Sequence, residues 1–259
     1  MRARRVRFAA ADPAPLGENA AHRFAASFTL GVYPLCALYT MIPKNACSTL
    51  RYAIAHANGY VDDLSQIGWI HNNSHTFRAS PEFIASARTS FVVLRCPFRR
   101  LGSAYLHKIV DGDIVIMDQH RAPLDLSFRQ FVQFACGQPR EARDQHWRNQ
   151  SDFLLLYEYD HYFSLERFSA AAEALAAMGL DLFDTRAALG HDNGRLERVR
   201  GTFADTPASS LRDMKRAGKA PAYEDLYDSW CKEAVRASFA DDLALYAQVC
   251  APQDLLFAP

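Results

Sequence analysis

The chain has 259 residues, of which 49% are hydrophobic and 22% charged, and this composition is that of a globular protein rather than a disordered one. Lysine plus arginine and aspartate plus glutamate number 29 each, so the chain lacks the overall positive charge typical of a nucleic-acid-binding protein. The length suits one large α/β domain, in which any anion-binding site has to be local.

Targeting and membrane segments are not evident in the sequence. The basic residues 1–7 are not followed by an apolar run of signal-peptide length, and no window approaches about 18 uninterrupted apolar residues. The six cysteines form no Cys-x-x-Cys pair, which argues against a zinc or thioredoxin-like site. We therefore predict a cytoplasmic protein with reduced thiols and no membrane span, although peripheral membrane contact stays open. The heavy use of Ala and Arg fits a bacterial chain.

Two strand–loop–helix units are predicted in succession. Leu35–Ile42 is apolar and ends at a proline, and apolar residues with helical spacing follow from Ser48 to a stop near Gly59. Ser90–Leu94 is a short, continuously apolar run of the kind found in buried parallel strands, and Pro97 suits the first residue of the next helix. This order predicts an α/β fold whose central parallel sheet is flanked by helices.

The rest of the chain gives weaker patterns. Residues 1–27 are predicted to be a flexible arm, and residues 28–259 a single domain. The later predicted elements are a helix capped by Ser127, a strand at Phe153–Tyr159, an Ala-rich helix capped by Ser164, and helical structure over Tyr223–Val249.

The loop that follows the first strand carries an anion-binding pattern. A loop that enters a helix points unpaired backbone N–H groups at one place, where the helix dipole favours an anion. Lys44 adds a positive charge, and Ser48 and Thr49 add hydroxyl donors. The pattern is not a Walker A loop, because the glycines are missing and the lysine precedes the hydroxyls by four residues. A plain helix start with a solvated lysine is the alternative.

A second pattern follows the second strand. Arg95 lies at the carboxyl end of that strand, where ligands bind in open α/β sheets, and its guanidinium offers a planar fork to a phosphate. Ser103 comes eight residues later, about two helical turns, and can donate to the same phosphate. We interpret Arg99 and Arg100 as solvated charges on the helix face.

Together these motifs resemble the phosphosulfate-binding pair of the carbohydrate sulfotransferases of the chondroitin, dermatan and HNK-1 group and their bacterial relatives. The first is similar to the 5′-phosphosulfate loop, and the second to the 3′-phosphate motif Arg-x-Pro-x-x-Arg. Gln145–Asp152 is similar to the family's His-Trp-Arg-Pro-Gln segment, and Tyr227–Tyr246 to its closing helices. The resemblance spans about residues 36 to 247. It departs from the family at Cys96, where an acidic residue is common, and at Asn149, where proline is.

The resemblance implies a P-loop-like fold and an enzyme that transfers a sulfuryl group from 3′-phosphoadenosine-5′-phosphosulfate to a hydroxyl, with a carbohydrate or glycolipid as acceptor. It implies no required metal. It assigns Arg95 and Ser103 to the 3′-phosphate and Lys44 to the bridging oxygen and the leaving 5′-phosphate. The same end of the donor would contact Asn45, Ala46, Cys47, Ser48 and Thr49.

A general base should accept the proton of the acceptor hydroxyl, and a neutral histidine suits this near pH 7. Related 2-O-sulfotransferases place a catalytic histidine in a segment comparable to Trp69–Phe77. Our order of candidates is His75, His146 and His71, and a hydrogen-bonded structural histidine is the alternative for each.

Two other classes of protein stay open. The first is a nucleotide-dependent phosphotransferase or P-loop NTPase, against which the missing Walker glycines and the lack of an acidic magnesium ligand beside a strand both argue. The second is a non-catalytic protein that binds nucleotides or glycans on the same scaffold. The sequence identifies neither the acceptor nor the oligomeric state.

Overall fold

The computed structural model describes residues 6, 14–73, 75–112, 125–185, 188 and 196–258. The chain divides into two compact units. The first unit consists of residues 1–94 and 150–191, and the second of residues 95–149 and 192–259. No helix among the described residues has both the length and the apolar character needed to cross a membrane.

The first unit contains a four-stranded sheet. Its strands lie in the order β1 (Thr29–Val32), β2 (Ala37–Thr40), β3 (Thr89–Leu94) and β4 (His161–Ser164). β1 runs antiparallel to β2, whereas β2, β3 and β4 are mutually parallel. Every residue of β2 is buried and so are the last five of β3, as expected of strands covered on both faces. The predicted α/β class with a largely parallel sheet flanked by helices is confirmed.

The described part of the chain also contains α-helices. In chain order they are α1 (Ala20–Ser27), α2 (Cys47–Ala57), α3 (Trp69–Asn72), α4 (Pro81–Ser86), α5 (Pro97–Ala104), α6 (Phe128–Gly137), α7 (Phe168–Ala177), α8 (Ala208–Arg216), α9 (Ser229–Ser238) and α10 (Ala240–Val249). In α2 the residues with helical apolar spacing, Leu50, Ala53 and Ile54, are all buried in the core of the first unit. The first predicted strand–loop–helix unit is therefore confirmed.

The prediction that residues 1–27 form a flexible arm is wrong for residues 20–27. Asn19 caps α1 by accepting a hydrogen bond from the N–H of His22 at 2.8 Å, and Ala25 is fully buried. Phe24 packs against Phe153 at 5.2 Å between ring centres. The many alanines in this stretch concealed an amphipathic helix, because small residues give a weak apolar signal. Residues 1–5 and 7–13 lie outside the described residues.

The strand predicted at Phe153–Tyr159 is also wrong. A 3₁₀ turn occupies Gln150–Phe153, and the strand that pairs with β3 begins only at His161. Asp160 directs this pairing, because its carboxylate accepts hydrogen bonds from the N–H and the hydroxyl of Ser90 at 2.8 and 2.9 Å. A short apolar run does not distinguish a buried strand from buried irregular backbone by periodicity alone.

The second unit contains α5, α6 and the C-terminal helices. Ser127 caps α6, as predicted, and the structure shows that it does so in a capping box with Gln130. α5 continues into a π-helical turn at Tyr105–Ile109. The single helical region predicted over Tyr223–Val249 is interrupted, because Asp228 caps α9 and Phe239 adopts a non-helical conformation between α9 and α10. A small parallel pair, β5 (Glu197–Val199) and β6 (Lys219–Pro221), was not predicted.

Candidate functional site

The loop between β2 and α2 has an unusual backbone for residues other than glycine. Lys44 and Ala46 lie in the left-handed region, with φ of 73° and 56°. A residue with a side chain adopts this conformation at a cost of about 1–2 kcal/mol. Such conformations cluster at functional sites, and in loops of this kind they turn successive N–H groups toward one side to form a concave anion site.

The start of α2 offers hydrogen-bond donors. Its N-cap residue, Ala46, has no side chain able to cap the helix. Within the described part of the chain, the backbone N–H groups of Cys47 and Ser48 donate to no acceptor, and the Ser48 hydroxyl also lacks a partner. Unpaired N–H groups and the helix dipole together favour an anion at this position.

Asn45 holds the loop in place. It is fully buried, and its Nδ2 donates to the carbonyl of Val93 at 2.8 Å and to Oε1 of Gln150 at 2.6 Å. Its backbone N–H donates to the carbonyl of Ile42 at 3.2 Å. These donors are engaged inside the first unit, so the side chain of Asn45, which the sequence assigned to the donor, has the contacts of a positioning residue.

Thr49, like Asn45 and unlike Ser48, already has a side-chain hydrogen-bond partner. Its hydroxyl shares a hydrogen bond with the hydroxyl of Thr185 at 2.8 Å, and Thr185 is buried. Of the two hydroxyls that the sequence assigned to the loop, Ser48 is thus the one with no partner among the described residues.

Arg95 directly follows β3, and its guanidinium lies against Tyr223 in the second unit. Its Nη2 donates to the Tyr223 hydroxyl at 3.3 Å, and its Cζ lies 5.5 Å from the ring centre. Arg198 contacts the same ring, with its Cζ 5.7 Å from the centre. Neither Tyr223 nor Arg198 was predicted as a site residue, because both are distant from Arg95 in sequence and only the fold brings them to it.

The ionisation of Tyr223 reflects this cluster. Burial opposes formation of the phenolate, but the charges of Arg95 and Arg198 and hydrogen bonds with Arg95 and Ser103 bring the pKa of Tyr223 below its ordinary value. Gly102 leaves room for the ring, since a Cβ atom there would lie 2.8 Å from Cδ1 of Tyr223. Ser103 therefore joins Arg95 around one aromatic ring, as their spacing on the chain suggested.

Arg100 is buried, and the prediction of a solvated charge is wrong for this residue. Only 2% of it is exposed, and its guanidinium donates to the carbonyls of Arg148 at 2.6 Å and Gln145 at 3.0 Å. A planar guanidinium can satisfy several carbonyls at once, which a sequence pattern does not reveal. Arg100 thus fixes the ends of the segment that carries His146.

His146 forms a pair with Asp144. Its Nδ1 lies 2.6 Å from Oδ1 of Asp144, which also accepts the backbone N–H of His146 at 2.8 Å. Its side chain is 16% exposed. A carboxylate at Nδ1 orients the imidazole and favours the tautomer whose lone pair is on Nε2, the arrangement of a general base. The adjacent Trp147 is fully buried and serves the core.

His75 is exposed, in a turn before a segment that pairs with β1. That segment bridges Leu30 through Arg78, and the carbonyl of Phe77 accepts the N–H of Gly31 at 2.8 Å. Since β1 is antiparallel to β2, this pairing carries His75 toward the amino-terminal edge of β2. Lys44 instead follows the carboxyl-terminal edge of β2.

The structure therefore does not bring His75 to the loop. His71 lies on α3, where the neighbouring Trp69 contacts Tyr60, just beyond the far end of α2. Neither histidine of this segment has the placement expected of the base.

Comparison with known proteins gives one match. The model of a family described as the sulfotransferase family matches residues 36–247. No curated protein and no solved structure matches the chain. Over the described residues, no group of three or more His, Cys, Asp or Glu side chains is arranged to hold a metal ion.

Proposed function

The chain belongs to the sulfotransferase family, and from that membership we propose that it transfers a sulfuryl group from 3′-phosphoadenosine-5′-phosphosulfate to a hydroxyl of a carbohydrate or glycolipid. The observation that carries the proposal is the loop between β2 and α2. It combines the charge of Lys44, the left-handed backbone of Lys44 and Ala46, and the N–H groups of Cys47 and Ser48, which have no acceptor among the described residues. The chain as a whole has a net charge of zero. The groups of the loop are those that an anionic phosphosulfate requires.

In this proposal Lys44 stabilises the negative charge that grows on the leaving 5′-phosphate. The N–H groups of Cys47 and Ser48 and the Ser48 hydroxyl hold the same end of the donor. Sulfuryl transfer, like phosphoryl transfer, depends chiefly on positioning and on electrostatic stabilisation of the transition state. Asn45 acts indirectly, because it fixes the loop to β3.

We assign the 3′-phosphate to the cluster around Tyr223. Two guanidinium groups converge on this ring, and Ser103 adds a hydroxyl. Guanidinium is the side-chain group best matched to a phosphate, because its N–H groups form a planar fork. Arg198 thereby joins the Arg95 and Ser103 of the sequence motif. Recognition of a 3′-phosphate would separate this donor from ATP.

We propose His146 rather than His75 as the general base. The pair with Asp144 supports this assignment, because it orients the ring and favours the tautomer whose lone pair is on Nε2. We further propose a reducing compartment, since all six cysteines are free thiols.

Transfer of radiolabelled sulfate from the donor to pools of glycans, lipids and small metabolites tests the proposed activity. We expect the wild-type protein to label a glycan or glycolipid fraction. Lys44→Ala should lose most of that labelling, because the substitution removes about 2–4 kcal/mol of transition-state stabilisation. Equal labelling by a folded Lys44→Ala protein would contradict the role of the loop. Phosphate transfer from ATP without sulfate transfer would favour the phosphotransferase alternative.

A further inference from the structure

The first turns of α2 carry a second cation, Arg51, besides the lysine of the preceding loop. Arg51 lies one helical turn after Cys47, and its Nε and Nη2 atoms are buried without a hydrogen bond to any described residue. Its electrostatic neighbours are Cys47 and Tyr39. Within the described chain, no carboxylate forms an ion pair with Arg51.

Tyr39 places another unpaired polar group beside Arg51. Its side chain is fully buried in β2, where it stacks on Phe91 with 5.2 Å between the ring centres. Its hydroxyl lies near the backbone of Ile42 and the charge of Arg51, but it makes no hydrogen bond of good geometry with a described residue. Burial raises the pKa of Tyr39 well above its usual value, so the phenol stays neutral and is no counter-ion for Arg51.

A partly buried cation without a counter-ion destabilises the folded state, because part of its charge has lost contact with water. Burial lowers the pKa of Arg51. The interactions with Cys47 and Tyr39 raise this pKa again, but only in part. The folded chain thus holds this proton less tightly than the unfolded chain does, and at neutral pH the charged guanidinium reduces the free energy of unfolding. Arginine nonetheless stays protonated in proteins. The protein alone therefore carries an uncompensated positive charge at the start of α2.

We propose that Arg51 is an electrostatic positioning residue for the anion bound at the loop, and that the phosphosulfate of the donor supplies the counter-ion that the protein lacks. The inference rests on the proposed function and extends it to a residue outside both sequence motifs. Nε and Nη2 are sealed from solvent beside Tyr39, so Arg51 acts through its field rather than by contact through these atoms. A partly desolvated charge acts over several ångströms because less water screens it.

Arg51→Met tests this inference by two readouts that move in opposite directions. We expect the melting temperature of the protein alone to rise by about 2–4 °C, since a partly buried charge without a counter-ion is removed. We expect the affinity for adenosine 3′,5′-bisphosphate, measured by calorimetry, to fall about tenfold. Arg51→Lys keeps the charge and should retain most of the affinity.

Arg88→Met is the matched control. It removes an equal charge from an exposed residue of the first unit that directly precedes the first residue of β3. It should change neither readout. A lower melting temperature of Arg51→Met with unchanged affinity would show a purely structural arginine and overturn the inference alone. If the wild-type protein binds neither adenosine 3′,5′-bisphosphate nor inorganic phosphate, the proposed function fails together with the inference.

Discussion

Arg95 and Tyr223 show how one charged side chain sets the chemistry of its neighbour. Burial by itself would make the phenol of Tyr223 harder to ionise, but Arg95, Ser103 and Arg198 reverse this and lower its pKa. A phenolate beside Arg95 would neutralise the guanidinium that we assign to a phosphate. Protonated Tyr223 leaves both guanidinium groups able to attract an anion, so the cluster should bind a phosphate only while the phenol is neutral.

We predict that binding of adenosine 3′,5′-bisphosphate weakens as the pH rises through the lowered pKa of Tyr223. Tyr223→Phe removes the ionisable group and should keep its affinity at alkaline pH. Calorimetric titrations of both proteins from neutral to alkaline pH measure the difference. The same loss of affinity in both proteins would show that Tyr223 does not control the cluster.

At the scale of elements, the connection between β2 and α2 was predictable, and its strain was not. A continuous apolar run followed by helical spacing located the strand, the loop and the helix within a few residues. Lys44 and Ala46 both adopt left-handed conformations. Neither is a glycine, so their residue types do not indicate such a backbone. The failures at Phe153–Tyr159 and Tyr223–Val249 have a common cause, because tertiary contacts and local caps decided the backbone there.

Because the backbone of Ala46 is strained, a glycine at this position should stabilise the folded protein rather than destabilise it. Ala46→Gly should raise the free energy of unfolding by about 0.5–1 kcal/mol, because relief of the left-handed strain exceeds the extra entropy of the unfolded chain. Ala172→Gly, within α7, is the comparison and should lower it by about 1 kcal/mol. Urea unfolding of the three proteins measures both changes. A loss at Ala46 as large as that at Ala172 would show that the loop is not strained.

At the scale of the whole molecule, a chain with no net charge concentrates positive charge locally in each unit. Lys44 and Arg51 lie around the start of α2 in the first unit, and Arg95 and Arg198 lie around Tyr223 in the second. Local sequence identified Lys44 and Arg95, since each follows a recognisable strand. Arg51, Arg198 and Tyr223 depend on burial and on contacts distant in sequence, which no short motif encodes.

The assignment of His146 as the general base predicts how variants of three residues should change turnover. His146→Ala should lower single-turnover sulfuryl transfer by about 10²–10⁴-fold without changing the affinity for adenosine 3′,5′-bisphosphate. Asp144→Asn should also slow transfer, because it removes the charge that orients the imidazole. His75→Ala should leave turnover unchanged. Loss of turnover in His75→Ala, with His146→Ala unaffected, would return the role to the residue first chosen from the sequence.

Calorimetric titration of adenosine 3′,5′-bisphosphate and of ATP–Mg²⁺ into the wild-type and Lys44→Ala proteins tests whether the loop at the start of α2 binds the phosphosulfate donor. We predict that the wild-type protein binds the bisphosphate in preference to ATP–Mg²⁺. The Lys44→Ala protein should bind it about 10- to 100-fold more weakly, the loss of one charge-assisted hydrogen bond. Preferential binding of ATP–Mg²⁺, or equal affinity of the two proteins for the bisphosphate, would contradict a phosphosulfate site at the start of α2.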